Sequence, residues 1–320
     1  MLRSLPFAAL LGGLILSASA QAVDVDPATY GYPITNPFEA TIATTPPQMR
    51  PLLPDEDDIN QSDYTLNLRP EREHILPANF WAVKKLTYRM AKQDHPAPLM
   101  FLIAGTGAAY DSSLNEYLIK LFYQEGYHVV QLSSPTSYDF MSSASRLATP
   151  GISQYDAEDL YHVMQAVRAQ QAKLPVTDYY LAGYSLGALD AAFVSHLDET
   201  RKSFNFRQVL MLNPPVSLFT SISNLDKLVQ TEVKGINNST TFYELVLGKL
   251  TRYFQDKGRV DLNAALVYDL QNSKERLTNE QMAMLIGTVF RFSSADIVFN
   301  SDLIKRRGLI APRPYPITDG

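Results

Sequence analysis

One serine in this chain stands where its hydroxyl could act as a nucleophile. Ser185 lies within Gly183-Tyr184-Ser185-Leu186-Gly187, a G-x-S-x-G pattern. Before it, Val176, Tyr179, Tyr180 and Leu181 are β-branched, aromatic or aliphatic, as in a strand. After it, Leu189, Ala192, Phe193 and Leu197 recur at the three- and four-residue spacing of a buried helix face. The period therefore changes at the serine. A strand that turns sharply into a helix needs small residues on either side, because the two elements approach closely. The turn holds its central residue in a strained conformation at the positive end of the helix. A serine so placed suits nucleophilic attack, which also requires a base within hydrogen-bond reach.

Composition bounds what else the chain can do. Its 320 residues are 46% hydrophobic and 19% charged, enough for one large core or a core with a smaller insertion. The net charge of -5 offers no basic stripe to displace phosphate counterions, so a nucleic-acid partner is not expected. With no cysteine, a thiol nucleophile, a disulfide framework and a thiolate metal site are excluded. No His-Glu-x-x-His or clustered ligand spacing appears, and neither a metal nor a cofactor is expected. Gly105-Thr106-Gly107 lacks the following Gly-Lys-Ser/Thr of a phosphate-binding loop, and no Val-Ala-Ile-Lys, His-Arg-Asp or Asp-Phe-Gly occurs, which excludes a kinase.

The first 22 residues read as a signal peptide. Arg3 precedes an apolar run from Pro6 to Leu16, too short to span a bilayer, and Ala18, Ala20 and Ala22 offer a cleavage site. The expected product is exported, periplasmic or extracellular, and not membrane-spanning.

Residues 23–62 form a Pro-rich, aperiodic arm. Tyr64 to Leu68 and Phe80 to Met90 alternate as strands, and Pro98 to Gly107 is an apolar run suited to a central strand buried on both faces. A helix is expected over Ser113 to Glu125, a strand over Val129 to Leu132, and a loop over Pro135 to Pro150 that could offer Tyr138, Phe140 and Met141 to a substrate. Ser153 is the expected cap of a helix ending before Pro175. Arg207 to Asn213 completes an alternation of strands and helices from 98 to 215. This alternation predicts an α/β fold with a doubly wound, mostly parallel sheet and with Gly105, Ser185 and Asn213 at the strands' carboxyl ends. Helices are expected over Leu225 to Val233, Thr241 to Phe254, Leu262 to Leu270 and Asn279 to Phe292.

The strand, the G-x-S-x-G turn and the helix together resemble the nucleophile elbow of the α/β-hydrolase superfamily of esterases, lipases, peptidases and acyltransferases. The resemblance implies a hydrolase core at 63–217, a helical cap at 218–310 and a Pro-rich tail at 311–320. It implies Gly183 and Gly187 as elbow glycines and an oxyanion hole from the amide of Leu186 with that of Thr106 or Gly107. It further implies an acyl-enzyme at Ser185, formed from an ester, thioester or amide carrying a small-molecule or lipid-like acyl group. Phe242, Tyr243, Leu247, Tyr253, Met282, Met284 and Phe290 would line an apolar pocket or form the cap's own core.

One part of the family pattern is missing. The family's order is Ser, then Asp or Glu, then His, and of five histidines only His196 follows Ser185. It lies about eleven residues along one helix, roughly 16 Å away at 1.5 Å per residue, too far to be the base. Asp226 stands where some lipases carry the acid, or it is a surface or capping residue. The seventh and eighth strands have no counterpart. Either the acid and histidine lie beyond Gly320, in a fold incomplete at its C-terminus, or the chain is a catalytically silent binding protein that kept the elbow.

Overall fold

The structure, a computed structural model, describes residues 31–310 apart from 44, 73–75, 77, 237–238 and 258–265. The expected signal peptide at 1–22, the tail at 311–320 and His74 lie outside the described residues.

Six strands form one sheet: β1 (Gln61–Leu66), β2 (Leu86–Ala91), β3 (Ala97–Ile103), β4 (His128–Leu132), β5 (Val176–Tyr184) and β6 (Gln208–Leu212). Their spatial order is β1-β2-β4-β3-β5-β6. Strands β4, β3, β5 and β6 run parallel, while β2 pairs antiparallel with both β4 and β1. The helices are α1 (Pro37–Ile42), α2 (Ser113–Gln124), α3 (Tyr138–Ser143), α4 (Ser153–Gln170), α5 (Leu186–Arg201), α6 (Leu218–Lys227), α7 (Ser239–Lys257), α8 (Leu266–Gln271) and α9 (Asn279–Lys305).

The apolar run of β3 serves two cores because successive side chains point to opposite faces. Leu99, Phe101 and Ile103 pack with Leu160, Val163 and Met164 of α4 and with Ala191 and Val194 of α5. Met100 and Leu102 face the other way, onto Leu118, Ile119 and Phe122 of α2. Helices thus cover both faces, as a doubly wound sheet requires. At the outer edge, β6 pairs only with β5 among the described residues, and its Leu210 and Met211 are 43% and 46% exposed.

Several expected boundaries shift, each for a local reason. Residues 78–83 make a 3₁₀ turn, so β2 begins only at Leu86. Ser153 is the first residue of α4 rather than its cap; the Asp156 carboxylate reaches back instead, accepting the Gly151 N–H at 2.7 Å. The expected loop at Pro135 to Pro150 contains α3, which Ser137 caps, and Phe140 and Met141 are fully buried. Arg69 donates to the Ala144 carbonyl, and Arg72 to those of Met141 and Arg146, which holds this segment down on the body.

In the cap, α6 starts at Leu218 because Ser217 accepts the Thr220 N–H. Helix α9 continues past Phe292 to Lys305, since the Ser293 hydroxyl satisfies itself on the Val289 carbonyl at 3.1 Å rather than breaking the helix. By length and composition α9 could cross a membrane; in the fold it packs against α1, α3 and α6. Helix α1 gives the N-terminal arm a structured end, joined to α9 through Asn36 and Asn279 at 2.6 Å.

Candidate active site around Ser185

Strand β5 delivers the serine. Its ladder with β6 runs to Tyr184 opposite Leu212, and the Ser185 N–H then donates to the Leu212 carbonyl at 2.8 Å. At Ser185 the backbone leaves the strand with φ +53° and ψ -123°, and α5 begins at Leu186. A non-glycine residue held there costs about 1–3 kcal/mol, which the surrounding structure must overcome. The flanking glycines follow from sterics. A side chain on Gly183 would sit 2.1 Å from the Gly187 carbonyl oxygen, and one on Gly187 would sit 2.4 Å from the carbonyl oxygens of Ile103 and Ala104.

The loop after β3 lies against Ser185. A β-carbon on Gly105 would come within 2.7 Å of the Tyr184 ring and 3.2 Å of the Ser185 β-carbon. The next strand's loop, Ser133 to Ser137, pins it. The Gly107 N–H donates to Thr136 Oγ1 at 2.7 Å, Thr136 Oγ1 and Ser134 Oγ share a hydrogen bond at 2.7 Å, and the Ser134 N–H donates to the Ala108 carbonyl at 3.0 Å. The Tyr110 N–H donates to Ser133 Oγ, which donates in turn to Asp139 at 2.6 Å. Burial raises the Asp139 pKa, while the Ser133 and Ser137 hydroxyls act in the opposite direction.

This network separates the two expected oxyanion donors. The Gly107 amide is already occupied, whereas the Thr106 amide makes no hydrogen bond among the described residues. The Leu186 amide, in the first turn of α5, has no intrahelical partner. Of the expected donors, Thr106 and Leu186 are the two whose amides make no hydrogen bond among the described residues.

Ser185 opens into a cavity of about 520 Å³ whose walls include Thr106, Tyr184, Leu186, Leu218 and Phe290. Among the described residues, no charged residue and no histidine lines it. His95 and His162 are exposed, and His128 is buried, with Nδ1 accepting the Gln93 N–H at 3.0 Å and Nε2 3.3 Å from the Pro175 carbonyl. His196 lies 3.0 Å from Glu199 on the exposed side of α5. Asp226 is not directed at the serine either: its Oδ1 receives Arg291 of α9 at 2.6 and 2.8 Å.

Of the segment expected to offer Tyr138, Phe140 and Met141, it is Thr136 and Pro150 that reach the cavity, together with the adjoining Gly151. Among the cap candidates, Phe290 lines it, while Phe242, Tyr253 and Met282 are buried and Leu247 is 62% exposed. Thr136, Leu218 and Leu225 were not singled out from sequence. The hydroxyl run Ser133-Ser134-Pro135-Thr136-Ser137 at the carboxyl end of a strand was the available signal for the first.

No family model and no curated protein matches this sequence. Solved structures with a similar arrangement are esterases and related hydrolases. Est1E from Butyrivibrio proteoclasticus matches at 16% identity over 48% of this chain and 55% of its own, with a TM-score of 0.32. The dienelactone hydrolase from Anabaena variabilis matches at 14% identity over 47% and 62%, TM-score 0.32. The Pyrococcus furiosus esterase Pf2001 matches at 13% identity over 55% and 60%, TM-score 0.39. The chain thus matches less than two thirds of the length of each. The fold is α/β, with a mostly parallel sheet, the G-x-S-x-G turn at the carboxyl end of β5 and the small-residue loop after the adjacent β3.

Proposed function

We propose that this chain is an exported serine hydrolase that cleaves an ester, thioester or amide through an acyl-enzyme at Ser185. The reading rests on one observation above others: a strained, cavity-facing serine beside two amides, of Thr106 and Leu186, suited to receive a negative oxygen. Ser185 Oγ adds to the acyl carbonyl carbon, and the carbonyl π electrons pass to oxygen, which the two N–H groups hold. Each such donor is worth about 3–4 kcal/mol of barrier. The intermediate collapses as the leaving group departs with a proton; water then attacks the acyl-enzyme and releases the acid and free Ser185. If an alcohol takes the place of water, the same steps transfer the acyl group. The reading requires a base for the Oγ proton, and none of the described residues lining the cavity supplies one.

A second reading has a specific observation behind it. No described histidine lies on the cavity, which suits a catalytically silent binding protein. Labelling of the purified chain with a fluorophosphonate, which reacts readily only with activated serines, decides between the two. Labelling that disappears in Ser185→Ala is the expected result; a folded wild-type chain that does not label would show that Ser185 is not activated in this chain, as the silent reading requires.

A further inference from the structure

The cavity at Ser185 does not end at the catalytic turn. A second cavity of about 480 Å³ adjoins it, and the two share Thr106, Leu225 and Phe290 as walls. The second chamber is built mainly by the cap, with Val246 and Leu250 on α7, Leu270 on α8 and Leu285 and Ile286 on α9. Helix α1 of the N-terminal arm contributes Thr41 and Ile42. None of the described residues that line it is charged, and the polar groups among them are the hydroxyls of Thr41, Thr106 and Ser293.

Three features together specify an occupant. The chamber touches no residue of the elbow, so whatever fills it lies away from the reacting carbonyl. The two cavities have Thr106 in common, whose amide is the proposed oxyanion donor, so an occupant reaching from Ser185 into the chamber would pass beside the reacting carbonyl. The charge-free walls would leave an ionised or strongly polar terminus without a partner, at a cost of several kcal/mol. A compact acyl group such as acetyl or an aromatic acid would leave the second chamber empty.

We infer that the substrate carries a linear, unbranched acyl chain whose carbonyl sits at Ser185 and whose tail passes Phe290 into the second chamber. This inference rests on the hydrolase reading for the position of the carbonyl, and on the chamber alone for the tail. Each methylene that leaves water favours the bound state by roughly fourfold, so preference rises with chain length until the chamber is full.

The test uses the full chain, p-nitrophenyl esters of butanoate, octanoate and dodecanoate, and direct calorimetric titration with butanoate and hexadecanoate. Two variants, Leu285→Trp and Leu250→Trp, each place bulk in the second chamber from a different helix. The expected result is a kcat/KM that climbs at least tenfold from butanoate to dodecanoate, and a dodecanoate-to-butanoate ratio that falls about tenfold in either variant. Hexadecanoate is expected to bind the wild type and to bind both variants more weakly. General damage to the fold would lower both esters together and leave the ratio unmoved. Hydrolysis of butanoate with no gain at greater length, and a ratio indifferent to both tryptophans, would overturn the tail chamber while leaving the hydrolase reading intact. Failure to cleave any ester, with hexadecanoate binding still lost in the variants, would overturn ester hydrolysis by this chain and support the chamber.

Discussion

Thr136 contributes one acceptor to the loop that carries Thr106, the proposed oxyanion donor. Replacing the hydroxyl with a methyl in Thr136→Val removes the hydrogen bond from the Gly107 N–H, a loss of about 0.5–1.5 kcal/mol. The loop carrying the Thr106 amide then keeps its ties from Ala108 to Ser134 and from Tyr110 to Ser133 but is held less firmly beside Ser185. The expected outcome is a kcat on a short ester lowered about 10- to 100-fold with KM nearly unchanged, because the lost interaction belongs to the transition state. Thr136→Ser, which keeps the acceptor, is expected to recover most of the loss. A valine variant with wild-type kcat would remove Thr136 from the machinery. Ser185 was legible in sequence because strand, turn and helix are contiguous there and each has its own periodicity. Thr136 was not, since its role depends on β4 lying next to β3, and no local pattern encodes that adjacency. The choice between Thr106 and Gly107 stayed open for the same reason.

Between α4 and α5 two carboxylates are buried. Asp156 of α4 accepts the Gly151 N–H, yet burial, with the Asp159 charge adding to it, raises its pKa from 3.8 to about 7. Asp190 of α5, fully enclosed, has neither oxygen hydrogen-bonded among the described residues; burial first, and then the Asp156 charge, raises its pKa well above the ordinary value. A carboxyl group whose folded pKa is raised binds more protons in the native state than in the unfolded chain. Stability from Asp156 is therefore complete below about pH 4, falls as pH rises toward 7 and is flat above. The loss across that window amounts to as much as about 4 kcal/mol. Asp156→Asn retains an acceptor for Gly151 and has no charge to bury, so its urea-unfolding free energy should fall less between pH 5 and pH 8 than the wild type's. Equal falls in the two proteins would show that Asp156 does not set this dependence. The elements themselves were largely readable: β3, β5 and β6 and helices α2 and α5 fall within a few residues of their periodic runs. The boundaries that moved, at α4, α6 and α9, were set by side chains bonding to backbone a few residues away, as at Asp156, Ser217 and Ser293, which periodicity does not register.

The whole molecule joins a sheet built from one stretch of chain to a cap built from another. The core from β1 to β6 follows the alternation read from the sequence, whereas the cavity's far wall could not be read, because its apolar residues are shared among α1, α6, α7, α8 and α9. The proposed export belongs at this scale too: cleavage after Ala20 or Ala22 would leave the arm as the new N-terminus. Mass spectrometry of protein recovered from the cell exterior or periplasm is expected to find that end, and recovery of the full-length chain in the cytoplasm alone would refute it. The Asn36–Asn279 contact that fastens the arm spans 243 residues. A ribosome adding about 5–20 residues per second makes Asn279 roughly 12–50 s after Asn36, and the strands of the sheet are all made within that interval. The second chamber is thus late in order of synthesis: during translation, α1 waits for the helix that gives it a wall to close.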